Sequence, residues 1–342
     1  MIPAGLDSAL GEGDVALVTG STGGIGREVA VNLAETGATV LVHGRDEVRA
    51  RETVAALRGD GHDWYRTDFA DLAEVEALAD RVRDDYDRLD CLVNNAGTWQ
   101  GERHLVDVPG ADDVELAFVV NHLAPFLLTH RLVDRLAATG RRREERGGET
   151  RSEAESENGA EAGSESESSG GPDPARVVTV SSQLHRRATL DLDSVRGPEA
   201  VVGVEAYSHS KLANVLFTVE LARRLPEPVV ANCCHPGSVP TTDLSRDGSL
   251  VPSVGWRLFG FLGGLVGLTD SPADAAETPT YLASAPEAAD FSGEYFEDRE
   301  AVPPGDGALD REAQRRLWER SAEWTGVSTD RLPADDGSDP GR

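Results

Sequence analysis

Apolar residues along this chain fall into two patterns that alternate. Short runs such as Val15-Ala16-Leu17-Val18, Leu89-Asp90-Cys91-Leu92-Val93, Val177-Val178-Thr179-Val180 and Val229-Val230-Ala231-Asn232-Cys233-Cys234 are nearly continuous and end in Gly, Asn, Ser or His. Between them lie longer stretches in which large apolar side chains return every third or fourth residue, as at Ile25, Val29 and Leu33, or at Leu212, Val215, Leu216 and Val219. A continuous short run predicts a strand buried on both faces, and the longer period predicts an amphipathic helix. Read this way, the chain has strands at 14–19, 38–42, 64–67, 89–93, 176–180 and 229–234. Helices are expected from 25 to a stop at Gly37, before 57, at 72–82, at 112–138, from Tyr207 to Leu225 and at 311–324.

Strand and helix in alternation imply an α/β protein with a single Rossmann-type doubly wound parallel sheet, helices on both faces and a ligand at the C-terminal ends of the strands. Residues 1–13 form a lead-in, 14–326 the domain and 327–342 a polar tail. The pattern stops at 139–175: from Arg141 to Ala175 there is no Val, Ile, Leu, Met, Phe, Trp or Tyr. Such a segment cannot bury enough apolar surface to offset its ordering entropy, and a disordered acidic insertion is expected there.

Charge narrows the partners. Acidic residues number 61 against 33 basic ones, a net charge of −28, which disfavours nucleic acid and anionic membrane surfaces. An acidic surface of this kind fits a salt-rich cytoplasm, where counterions screen self-repulsion. The three cysteines have no disulfide or metal-ligand spacing, so no metal is expected. The N-terminus lacks the pattern of a secretion signal, and the longest apolar-looking stretch, 258–268, is too short to span a bilayer, so a cytoplasmic protein is expected.

Candidate chemistry collects at the strand ends. The turn Gly20-Ser21-Thr22-Gly23-Gly24-Ile25-Gly26 joins the first strand to the first helix, where small residues let a pyrophosphate approach uncapped N–H groups. At the end of the second strand Gly44 stands where an acidic residue would grip the ribose hydroxyls, and Arg45 follows, which favours NADP(H) over NAD(H). The other reading of Arg45 is a surface pair with Asp46 or Glu47. Asp68 is a candidate adenine contact, and Asn94-Asn95-Ala96-Gly97 ends the fourth strand. Pro125 has no N–H for the carbonyl of Asn121, so the helix should kink there and leave an acceptor for a water.

Most telling is Tyr207-Ser208-His209-Ser210-Lys211, which holds the single lysine among 33 basic residues and one of five tyrosines. Phenol and ammonium one helical turn apart share a face, and the ammonium is expected to pull the phenol pKa down towards working pH. Ser181-Ser182 ends the strand before it, and Pro236-Gly237-Ser238-Val239-Pro240-Thr241 follows the strand after it.

In that order these motifs resemble the short-chain dehydrogenase/reductase family. Asn121-His122-Leu123, Ser210-Lys211-Leu212-Ala213-Asn214 and His235-Pro236-Gly237 look most like its retinol dehydrogenase and WW-domain oxidoreductase branch. The resemblance implies an oxidoreductase moving a hydride between a nicotinamide dinucleotide and an alcohol/carbonyl pair. Tyr207 would then be the general acid/base, Lys211 would bind the nicotinamide ribose, Ser182 rather than Ser181 the substrate oxygen, Asn121 a relay water and Thr241 the carboxamide. The Gly-rich turn lacks the basic residue many NADP-dependent members carry, and the acidic insertion is not a family feature. A non-catalytic dinucleotide-binding redox sensor is the alternative from another class, and an epimerase or dehydratase is a third. The apolar segment 249–268 is open between lid, contact in a homo-oligomer and membrane-surface contact.

Overall fold

A computed structural model of the chain describes residues 8–157, 173–237 and 270–332. Eight strands form one sheet in the order β3-β2-β1-β4-β7-β8-β9-β10. They are β1 (Val15–Val18), β2 (Thr39–Gly44), β3 (Asp63–Arg66), β4 (Cys91–Asn94), β7 (Ala175–Val180), β8 (Val229–His235), β9 (Tyr295–Glu297) and β10 (Glu300–Ala301). All neighbours pair parallel except β10, which turns back on β9. The chain order reverses between β1 and β4, so their C-terminal ends splay apart and open the crevice in which such sheets bind ligands.

Helices cover both faces because both faces of the strands are apolar. On one side lie α1 (Gly24–Glu35) and α2 (Glu47–Ala56), with α7 (Pro272–Ala275) and α8 (Glu277–Ser284), over Ala16, Val18, Val40, Val42, Val93 and Val178. On the other lie α3 (Leu72–Asp85), α5 (Ala124–Glu157), α6 (Gly203–Arg224) and α9 (Arg311–Thr325), over Leu17, Leu41, Leu92, Val177 and Ala231. Alternate residues of each strand point to opposite layers, which is why the strands read as unbroken apolar runs.

Several expectations are corrected. The long helix does not start at 112: residues 105–115 form an antiparallel hairpin, β5 (Leu105–Val108) and β6 (Ala111–Glu115), before the short α4 (Leu116–Phe118). A π-helical turn, Val119–Leu123, then precedes α5, so the proline at 125 is accommodated by a widened backbone around Asn121. Nor does the helix stop at 138. It continues to Glu157, with Arg143 paired to Asp14 (2.7 Å) and Asp90 (3.1 Å), so the chain from 139 to 157 is helical and not disordered. Lack of large apolar residues removes a core, but Arg, Glu and Ala keep good helix propensity and an existing helix extends through them. The apolar stretch 258–268 lies outside the described residues. Leu116–Glu145 is long and apolar enough to cross a membrane by composition, yet 94% of its most apolar window is buried within this fold. Strands β9 and β10 carried too few residues to register in the pattern, and Leu10, in the lead-in, is a buried core residue.

Candidate active site

Two loops meet at the mouth of the crevice. The β1–α1 turn needs left-handed backbone at Gly20 (φ 65°) and Gly24 (φ 54°), which a side chain would strain. It also runs against the loop after β4: a Cβ on Gly20 would sit 2.8 Å from the Ala96 Cα, and one on Gly26 would sit 2.5 Å from the Gly20 carbonyl oxygen. Asn95 fastens the two, its side-chain amide donating to the carbonyl of Thr19 at 2.8 Å and of Gly20 at 3.3 Å. Thr19 answers from the other side, its hydroxyl accepting the N–H groups of Asn95 and Ala96, both at 3.0 Å. No side chain caps the N-terminus of α1, and open space surrounds the Cβ position of Gly23, so the first-turn N–H groups of that helix face the crevice. Ser21 differs from its neighbours: its hydroxyl is buried, donating to Val18 O at 2.7 Å and accepting from His43 N at 3.1 Å, and its own N–H donates to His43 O at 2.9 Å, so it braces the turn from below. Ile25 packs into the α1 side of the core.

At the end of β2 a Cβ on Gly44 would lie 2.8 Å from the Thr22 hydroxyl, so the strand end has no room for an acidic side chain. Arg45 follows it with an exposed side chain, while Asp46 caps α2 through Val48 N and Arg49 N and Glu47 pairs with Arg51 at 2.7 Å. Asp68 sits just past β3 with its carboxylate turned onto Ala70 N (3.0 Å).

The second half of the site is built on β7 and α6. Lys211 lies 3% exposed with its ammonium donating to Val180 O at 2.9 Å and standing 5.5 Å from the centre of the Tyr207 ring. Asn121 stands across from it: a Cβ on Gly97 would be 3.4 Å from Asn121 Oδ1 and 3.6 Å from Lys211 Nζ, so this glycine leaves the gap between the two open. The amide of Asn121 is locked, accepting from Thr98 N (2.7 Å) and donating to Thr98 O and Ser210 Oγ (both 2.9 Å). Ser210 passes that rigidity to α6 by donating to Tyr207 O at 2.8 Å. The two serines after β7 have separate tasks. Ser181 is buried with its hydroxyl on Lys211 O at 2.8 Å, while the Ser182 hydroxyl accepts Leu184 N at 3.3 Å and hydrogen-bonds the Tyr207 phenol.

Electrostatics run against the expectation from the Tyr–Lys spacing. Burial pushes the Tyr207 phenol up to about 12, and the Ser182 bond offsets only part of that. Burial also pulls Lys211 down to about 8. Proximity of an ammonium would lower the phenol, but burial dominates at both groups, raising the phenol and lowering the ammonium. Among the described residues Tyr207 is thus a protonated acid and Lys211 a cation that readily yields its proton.

Two contributors lie outside the predicted site residues. Thr19, which opens the glycine motif, ties the β1 and β4 loops, as described. His185 donates through Nδ1 to Ser182 O at 2.7 Å and accepts Gly305 N at Nε2 at 2.9 Å, with its ring 4.7 Å from that of Tyr295. It anchors the serine turn to a segment 120 residues further on, which no local pattern announces. Pro236 and Gly237 (φ 99°) follow β8, where a Cβ on Gly237 would strike the Asp270 carboxylate at 2.5 Å. Val239 and Thr241 lie outside the described residues, as does 249–268 up to the last residue. No group of side chains suited to a metal occurs among the described residues.

A nicotinamide dinucleotide fits this cradle: uncapped N–H groups for phosphate at one end, a buried ammonium and phenol for the ribose and reacting carbon at the other. Comparison with known proteins agrees. The short-chain dehydrogenase family profile matches residues 14–147. Human retinol dehydrogenase 13 is 32% identical over 325 residues, spanning 92% of this chain and 85% of its own length. Mouse polyprenol dehydrogenase is 36% identical over 322 residues, with 92% and 84% covered. Among solved structures, an uncharacterised protein from Mycobacterium paratuberculosis superposes with a TM-score of 0.66 at 25% identity over 97% of this chain and 99% of its own. Pseudomonas aeruginosa RhlG in complex with NADP, at 23% identity, shares the fold with a TM-score of 0.59, covering 87% of this chain and 97% of its own. The chain therefore belongs to the short-chain dehydrogenase/reductase family, in its retinol dehydrogenase-like branch, and is an NAD(P)-dependent oxidoreductase.

Proposed function

We propose that the protein interconverts an apolar alcohol and its carbonyl compound with NADP(H), Tyr207 carrying the proton. The observation that carries this reading is the grouping of Tyr207 with Ser182 and Lys211, with Asn121 facing Lys211 across the gap left open by Gly97. The bound dinucleotide supplies or accepts the hydride. In the reducing direction Tyr207, held protonated by burial, donates its proton as charge develops on the substrate oxygen, which Ser182 steadies with its hydroxyl. The Lys211 ammonium, 5.5 Å from the ring centre, then stabilises the phenolate by roughly 3 kcal/mol at an effective dielectric of about 20. Reprotonation runs past Asn121, where the π-helical turn ahead of Pro125 widens the backbone and a water can sit on the path to Lys211.

Preference for NADP(H) is supported by Gly44, which Thr22 keeps free of an acidic side chain, and by the exposed Arg45 beside it. Asp68 would contact the adenine, Asn95, Ala96 and Gly97 the ribose side of the cofactor, and Pro236, Gly237, Val239 and Thr241 the nicotinamide. An apolar substrate fits Val202 and Val204, 39% and 53% exposed at the start of α6 just before Tyr207, and the retinol and polyprenol names of the relatives. A cytoplasmic location in a salt-rich cell completes the reading, in keeping with the net charge of −28.

The test is cofactor oxidation: NADPH and NADH are supplied against a panel of apolar aldehydes and ketones in molar salt. Faster turnover with NADPH on at least one long-chain carbonyl is expected. A folded protein that binds NADPH yet turns over no member of the panel would leave the dinucleotide sensor as the better reading.

A further inference from the structure

Outside the catalytic group, one buried titratable side chain touches the dinucleotide turn itself. His43, the penultimate residue of β2, is 2% exposed and lies under the β1–α1 turn. Its Nδ1 accepts the N–H of Gly20 at 3.1 Å, and its Nε2 faces the carbonyl of Thr67 at 3.3 Å. A backbone N–H can only donate and a carbonyl can only accept, so the imidazole is neutral with its proton on Nε2. Backbone contacts hold the same corner: Ser21 N donates to His43 O at 2.9 Å, and Thr67 N donates to Gly44 O at 3.1 Å. The ring stacks on Phe69 with centroids 4.3 Å apart. His43 thus joins the glycine turn after β1 to the end of β3, with β2 between them.

We infer that neutral His43 is a positioning residue for the dinucleotide: it fixes the direction of the Gly20 peptide, and protonation at Nδ1 releases the turn and weakens cofactor binding. Gly20 adopts a left-handed conformation that Ala96 crowds, so the peptide that begins the phosphate-facing turn has little other restraint from side chains than this ring and Asn95. An imidazolium would set a second N–H against the Gly20 N–H across 3.1 Å, two donors with no acceptor, and the contact would have to open. The charged groups facing the ring are Asp68, which favours protonation, and Arg81, which opposes it; the Thr67 carbonyl also favours it. Burial outweighs these and holds His43 down to about 4, so the clamp stays closed at neutral pH and opens only in acid. By linkage, bound dinucleotide and a proton on His43 each weaken the binding of the other.

This inference rests on the dinucleotide reading but needs no substrate to test it. NADP+ affinity of the full chain is measured by calorimetry from pH 4 to 7.5 in molar salt, for the wild type, His43→Asn and His43→Leu. Asparagine can offer Oδ1 to the Gly20 N–H and cannot be protonated; leucine offers no acceptor. His43→Leu should weaken NADP+ about tenfold to a hundredfold at pH 7.5, the range for one buried donor left unsatisfied. His43→Asn should stay within about threefold of the wild type at pH 7.5 and should lose the acid-side weakening the wild type shows. Imidazole 15N shifts of selectively labelled protein, assigned with His43→Asn, should show the Nε2–H form. Wild-type affinity in the folded His43→Leu protein, or an Nδ1–H tautomer, overturns the inference while leaving the dinucleotide site standing. A wild type that binds no NADP+ at all removes the dinucleotide reading, and the inference with it.

Discussion

Lys211→Met should make the unliganded protein more stable while abolishing its activity. Methionine keeps the length of the side chain and removes the charge. Burial takes the lysine from 10.5 down to about 8, so the fold carries a penalty of about 3 kcal/mol for holding this ammonium dry at neutral pH, at about 1.4 kcal/mol per pH unit. Against that, the variant leaves Val180 O without its partner at 2.9 Å, worth roughly 1 kcal/mol. A net gain of about 2 kcal/mol at pH 7 is expected. The sign with pH follows from the direction of the shift: the folded value lies below the unfolded one. The penalty is complete below pH 8 and is relieved as pH rises towards 10.5, where the unfolded chain still holds the proton the folded chain has lost. Urea unfolding of both proteins in constant molar salt from pH 7 to 10 measures this, and contributions from the cysteines and other tyrosines cancel in the difference. The stability difference should change by about 2.5 kcal/mol across that range, so that the advantage of the variant disappears by pH 10. Parallel curves for the two proteins would show that Lys211 is not held as a strained cation, and the account of the site given above would fail.

Tyr207→Phe should lower turnover by at least about a hundredfold, the usual contribution of a positioned acid, while NADP+ affinity measured by calorimetry stays within about twofold. Arg45→Ala should weaken NADPH far more than NADH in fluorescence titrations; equal weakening of both would take away the basis for the cofactor preference. Gly26→Ala brings a Cβ to 2.5 Å from Gly20 O and displaces the Asn95 amide, so a loss of roughly 2–5 kcal/mol and of NADP+ binding is expected in thermal melts with and without cofactor. Melting temperature should rise steeply between low and molar salt, since the net charge of −28 repels itself where unscreened, and a flat salt response would remove the salt-rich setting.

Much of this molecule is legible in its sequence because each strand of a two-faced sheet must be apolar throughout and each covering helix along one stripe. Val15–Val18 and Val229–His235 fall where their composition puts them, and α9 ends at the glycine after Thr325, in left-handed conformation, close to where its pattern stops. The Tyr207–Lys211 pair stood out because a chain of arginines keeps one lysine there. Elements without such a signature were lost. The hairpin at 105–115 is held by pairing between its own strands and by Glu115 N on Val195 O at 2.8 Å, a contact 80 residues away. The extension of α5 past 138 depends on Arg143 reaching two carboxylates of other elements, which its local composition does not foretell.

By itself the sequence determined the layered α/β class, the glycine turn, and which phenol and ammonium share a helix face, because these follow from local period and residue chemistry. Tertiary structure decided what those groups do to each other. Only packing shows that burial overrides the attraction between Lys211 and Tyr207, since desolvation belongs to the surroundings and not to the pair. Likewise Ser181 turns to Lys211 O while Ser182 turns to the phenol, and His43 accepts Gly20 N from 23 residues away, because hydrogen bonds are allotted by the neighbours that folding brings within about 3 Å.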